Sequence, residues 1–104
     1  MEAPGTIAKY LPLTETTAYI LLALAEPLHG YAIMQKVEAM SGGAVKVGAG
    51  TMYGALSTLE KEGLIVKVDE QDRRKLYTLT AKGRQVTQAQ IERSAILVRN
   101  GQGL

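Results

Sequence analysis

The sequence predicts a mainly α-helical domain with a small β-hairpin, and three observations lead there. Four stretches of the 104-residue chain carry apolar residues as helices do, and hydrophobic residues make up 46% of the whole. Two β-like runs, "LIVKV" at 64–68 and "KLYTL" at 75–79, flank the polar, turn-prone "DEQDRR", the pattern of a hairpin. Glycines or a proline close three of the helical stretches, so the elements are short and clearly separated.

Residues 1–10 read as a flexible arm, because Pro4 and Gly5 discourage regular structure. Thr14 is placed to cap a first helix, "ETTAYILLALA", and Glu15 suits its positive end. That helix is apolar nearly all round, so it belongs at the centre of the core, and it stops before Pro27. "PLHG" reads as a connection to a second helix, "YAIMQKVEAM", in which Ile33, Val37 and Met40 form one buried stripe. His29 is expected to cap or pack at the start of this helix. Gly42 and Gly43 end it. "AVKV" reads as a short strand before "GAG" leads into a third helix.

In that third helix Met52, Leu56 and Leu59 recur at i, i+4 and i+7 as a core stripe, and Gly63 stops it. Its outer face carries Thr51, Tyr53, Ser57, Thr58 and Lys61, a set rich in hydrogen-bonding groups. In the hairpin, Tyr77 and Leu79 share a face that is assigned to the core. Thr80 then caps a last helix over residues 81–98. There Ile91, Ala95 and Val98 share one face, and Val86, Ala89, Arg93 and Ile96 another. One face is expected to pack on its own domain and the other on a partner subunit.

Three short helices followed by a hairpin form a winged helix-turn-helix, in which the third helix enters the DNA major groove beside the wing. Residues 11–80 make up this domain, and 81–104 a C-terminal dimerisation helix and tail. The charge distribution agrees. Residues 1–60 hold three basic and five acidic side chains, whereas residues 61–104 hold nine and five, so the +4 balance lies on the second part. Double-stranded DNA is therefore the expected partner. Its contacts are assigned to Tyr31, to Gly50 and Thr51 at the start of the third helix, to Tyr53, Ser57, Thr58 and Lys61, and to Arg73, Arg74 and Lys75 on the wing. A homodimer is expected through Tyr19 and Leu22 of the first helix with Ile91, Ala95 and Val98 of the last, because exposed apolar groups there need cover.

Other functions are disfavoured. There is no cysteine and one histidine, which leaves no basis for a disulfide or a metal site. Ser41, Ser57 and Ser94 fall in no nucleophile motif. "GAG" opens a helix as phosphate loops do, but Tyr53 stands where the dinucleotide pattern needs glycine. No enzyme and no cofactor are expected. The longest apolar run, residues 18–25, is too short to span a bilayer, and "MEAPGTIAKY" lacks a signal-peptide pattern. No membrane association and a cytoplasmic location are expected. A winged-helix protein-interaction module without DNA binding is the alternative, but it calls for exposed apolar groups where this chain has hydroxyls and cations.

Three motifs resemble the PadR-like family of bacterial transcription regulators. "PLHGYAIMQKVE" (27–38) is similar to the family's second-helix motif around His-Gly-Tyr. "GAGTMYGALSTLEKEGLI" (48–65) resembles its recognition helix, and "RRKLYTLTAKG" (73–83) its wing strand and the start of its dimerisation helix. Met52 replaces the usual leucine, and Leu76 stands where an aromatic is common in the wing strand. The resemblance implies a homodimeric repressor on a partly palindromic operator, released by a small molecule or another signal. A small apolar or aromatic effector, held near the dimer interface, is the implied ligand.

Overall fold

A computed structural model describes residues 4–104. The elements run α1 (Pro4–Ala8), α2 (Glu15–Ala23), β1 (Leu28–His29), α3 (Gly30–Met40), α4 (Ala49–Lys61), β2 (Ile65–Gln71), β3 (Arg74–Leu79) and α5 (Ala81–Gly101). The three strands form an antiparallel sheet of order β1-β3-β2.

The core is built around α2. Ile20, Leu21, Ala23 and Leu24 are completely buried, and Ile33 and Val37 of α3, Met52 and Leu56 of α4, Leu64, Ile65 and Val86 close round them. The expected cap is present: the Thr14 hydroxyl accepts a hydrogen bond from the Thr17 amide at 3.1 Å. One step earlier the Leu13 amide donates to Gln90 Oε1 at 2.7 Å, which ties the entry of α2 to α5.

Both glycine stops work through the left-handed region. Gly42 (φ 63°) and Gly63 (φ 77°) follow α3 and α4. The Gly43 amide then reaches Glu38 O at 2.8 Å, and the Leu64 amide reaches Leu59 O at 3.0 Å. These six-to-one bonds satisfy carbonyls the helix ends would otherwise leave open.

Five expectations need correction. Met40 does not complete the buried stripe of α3: Ile33 and Val37 are fully buried, whereas Met40, the last residue of the helix, is exposed because the chain turns away there at Gly42. Part of the arm is helical: Pro4–Ala8 forms α1, which packs on α5 and buries Ile7. A proline at the first helical position loses no intrahelical bond, so it does not oppose such a turn. "AVKV" is not a strand. Its alternation is real, since Val45 and Val47 are buried while Ala44 and Lys46 are exposed, but no strand pairs with it. The Ser41 hydroxyl instead accepts from the Val45 amide at 2.9 Å and shapes a loop. "PLHG" contains a strand: Leu28 pairs with Tyr77 and His29 with Leu76. Two residues carry no periodicity, so only the partner strand defines β1. Finally, α5 runs to Gly101, and its expected inner face is only half buried. Val86 and Ala89 pack on the domain, whereas Arg93 and Ile96 are exposed.

The joint between sheet and α5 is tight. The Thr80 hydroxyl accepts from the Gly83 amide at 3.0 Å and donates to Gly63 O at 2.6 Å. A Cβ on Gly83 would lie on the Leu64 carbonyl, so this helix turn approaches the backbone as only glycine permits.

Candidate nucleic-acid interface

The wing is a tighter hairpin than its polar linker implies. β2 and β3 continue to Gln71 and Arg74, leaving Asp72 (φ 51°) and Arg73 (φ 66°) as a two-residue turn. Two successive left-handed residues match the twist of antiparallel strands. The register shifts between Lys67 and Asp69, so Val68 lies at a bulge that bends the wing. On its inner side Tyr77 is buried, as expected, and Leu79 is half-buried. Burial raises the pKa of the Tyr77 hydroxyl, and the negative charge of Glu60 is the next cause; Lys67 acts in the opposite direction.

α4 presents its polar residues as expected. Gly50, Thr51, Tyr53, Ser57, Thr58 and Lys61 are all exposed, while Met52, Leu56 and Leu59 anchor the opposite side. Tyr31, the second residue of α3, is also exposed. Between α4 and the wing lies an open cleft of about 390 Å³, which brings Tyr53 and Ser57 together with Arg73, Arg74 and Lys75. Thr51, Thr58, Lys61, Gly50 and Tyr31 lie outside that cleft.

The cleft's charge is unbalanced. Glu70 is paired with Lys67 at 3.1 Å, and the side chains that line the cleft include three cations against one carboxylate, that of Glu60. Arg73, Arg74 and Lys75 form no ion pair among the described residues. Three cations therefore face solvent beside two side-chain hydroxyls. Such a surface can hold a polyanion through charge-assisted hydrogen bonds.

Sequence reasoning missed three contributors. Gly30 lies under the Tyr53 ring, where a Cβ would come within 2.8 Å of the hydroxyl oxygen and 3.0 Å of two ring carbons. The glycine of "HGY" thus gives the half-exposed tyrosine its seat. His29 occupies the cap position of α3 without a side-chain cap bond; its Nδ1 lies 3.2 Å from Lys75 O and joins β1 to the wing. Glu60 lines the same cleft. The "HGY" motif was a signal for Gly30, but the ring above it is 23 positions away and only the fold brings it there.

The second group of expected residues, for a dimer, falls on two adjoining surfaces. Leu22 and Ile91 line a groove of about 470 Å³ between α2 and α5, together with Leu79, Arg84 and Thr87. Ile91, Ala95 and Val98 line a shallower one along α5. Tyr19 is half-buried against the core and lines neither.

Helix pair, recognition helix and wing together define a winged helix-turn-helix. A family model, the transcriptional regulator PadR-like family, matches residues 20–89, and the chain belongs to that family. An uncharacterized 37.1 kDa protein in transposon TN4556 of Streptomyces fradiae is 39% identical over 79 residues. That match takes in 75% of this chain and 22% of that protein, so the chain spans about a fifth of that relative's length. Among solved structures, Bacillus subtilis PadR in complex with operator DNA superposes with a TM-score of 0.62 at 26% identity, over 72% of this chain and 46% of that one. The hsRosR-S1 complex gives a TM-score of 0.68 at 30% identity, over 79% and 72% of the two chains. A regulator from Clostridium thermocellum covers 100% of this chain and 98% of its own at a TM-score of 0.69; at 19% identity it shows likeness of fold alone. Among the described residues no helix is long and apolar enough to cross a membrane, and no cluster of His, Asp or Glu could hold a metal ion.

Proposed function

We propose that the chain is a sequence-specific DNA-binding regulator that acts as a homodimeric repressor on a palindromic operator. The cleft carries this reading: three wing cations that form no ion pair among the described residues share it with the hydroxyls of Tyr53 and Ser57 on α4. The solved complex of Bacillus subtilis PadR with operator DNA supports it. In this reading Tyr31, Gly50, Thr51 and Tyr53 hold phosphates, Ser57, Thr58 and Lys61 face base edges, and the wing cations follow the backbone. Four exposed aliphatic side chains, Ile91, Ile96, Leu97 and Val98, gather on the outer part of α5, and none of them lines the cleft. The same apolar surface supports the dimer, whose two-fold axis would set the recognition helices about 34–36 Å apart. The groove between α2 and α5 is the candidate seat for a small apolar or aromatic effector, with Arg84 and Glu92 at hand for a polar group. A cytoplasmic location belongs to this reading.

A gel shift with the DNA upstream of the chain's own gene tests it directly. Each phosphate held by a cation contributes about 0.9 to the slope of log K against log salt. Replacing Arg73 and Arg74 together by Ala should flatten that slope by roughly one to two units. An unchanged slope would remove the wing from the interface.

A further inference from the structure

Among the side chains that line the cleft, Glu60 is the acidic one. It follows Tyr53 and Ser57 at i+7 and i+3 on the exposed side of α4, in the midst of the proposed DNA contacts. Its carboxylate forms no ion pair among the described residues, although Arg73, Arg74 and Lys75 share the cleft. Its charge is felt nearby, since it helps to raise the pKa of the Tyr77 hydroxyl. A surface shaped only for affinity would not keep a negative charge there.

We infer that Glu60 is a specificity-determining residue that weakens binding to arbitrary DNA. A carboxylate and a phosphate are both acceptors and both anionic, so they repel within a Debye length. Base edges differ, because cytosine N4 and adenine N6 are donors that a carboxylate can accept from. Random complexes rest on the backbone and meet only the repulsion. An aligned operator offsets it with a base amino group or with the contacts its neighbours make. Glu60 thereby widens the ratio of specific to non-specific affinity, the quantity that matters against a genome of competing sites.

This inference rests on the cleft being the DNA surface, and the test separates the two. Binding of the whole chain to a fluorescent random-sequence duplex is measured against salt for the unmodified protein, E60Q, E62Q and the Arg73→Ala, Arg74→Ala double variant. Glu62 is exposed, two residues on, and outside the cleft. E60Q should bind the random duplex about three- to tenfold tighter, with a salt slope steeper by up to roughly one unit. Affinity for the upstream fragment should rise less. E62Q should change neither by as much, and circular dichroism should show all variants folded. Unchanged or weaker binding by E60Q, or an equal gain from E62Q, overturns the role of Glu60. So does loss of the upstream fragment alone, which would make Glu60 a simple base contact. If the double arginine variant binds the random duplex as well as the unmodified chain, the cleft itself is not the DNA surface.

Discussion

Residues 20–24, at the end and C-cap of α2, and residues 91–98 of α5 are both rich in aliphatic side chains, yet they meet opposite fates. Ile20, Leu21 and Leu24 have no exposed surface, whereas Ile91, Ile96, Leu97 and Val98 are 45%, 53%, 75% and 60% exposed. Composition does not separate them. α2 is surrounded, with α3 on one side and α5 on another. α5 is held only over its first half, where Gly83 lies on the Leu64 backbone and Val86 enters the core. Beyond Gln90 only Ser94 is partly covered and no residue enters the core, although Ile91 still borders α2 across a groove. A stretch that buries itself defines the fold, and one that stays exposed is the surface on which the proposed dimer rests.

The largest effect should come from making the same deletion in each segment. Leu21→Ala removes a fully buried side chain and should destabilise the domain by about 2–5 kcal/mol. Leu97→Ala should leave the melting of dilute monomer within about 0.5 kcal/mol of the parent, but make the dimer easier to dissociate. Urea melts at two protein concentrations distinguish these outcomes. Equal losses in dilute protein would mean that α5 is covered by its own chain.

A charge sharpens the contrast further. Ile91→Glu should yield a folded monomer at micromolar concentration, because an unpaired carboxylate is strongly disfavoured in an apolar interface. Light scattering with circular dichroism checks both halves of that statement. A variant that stays dimeric would move the interface to the other side of α5, where Pro12, Ile96 and Leu97 line a separate groove.

The wing offers a smaller test, in which stability and function move apart. Arg73 holds φ 66°, a conformation costly for an L side chain. Arg73→Gly should stabilise the domain by about 0.5–1 kcal/mol while weakening DNA binding. Loss of stability would mean that the arginine's contacts outweigh its backbone strain.

The smallest effect concerns alkaline pH. The Tyr77 pKa is raised in the folded chain, so its neutral form is favoured there. The sign follows from proton counting: above about pH 10 the unfolded chain loses this proton first, and stability falls as pH rises. Below pH 10 the contribution is fully present. Tyr77→Phe should flatten the alkaline decline in a pH series of melts, and an undiminished decline would assign it to other groups.

Much of this was legible in the residues themselves, and the reason is local. The stripes Ile33–Val37 and Met52–Leu56–Leu59, the caps Thr14 and Thr80, and the stops Gly42 and Gly63 each act within one or two turns of chain. Periodicity and capping chemistry therefore report them directly. The exposed face of α4 and the basic wing were legible for the same reason. What tertiary structure alone decided involves partners far apart in sequence. β1 exists because Tyr77 and Leu76 lie beside Leu28 and His29, and "AVKV", with a better strand pattern, has no such neighbour. Gly30 matters because the Tyr53 ring comes to rest on it, and Gly83 because Leu64 does. The two faces of α5 look alike in sequence, and burial of Val86 but not Ile96 depends on where the domain ends beneath the helix. Side-chain chemistry determined which surfaces were apolar, hydroxyl-rich or basic; only packing decided which of them would meet one another.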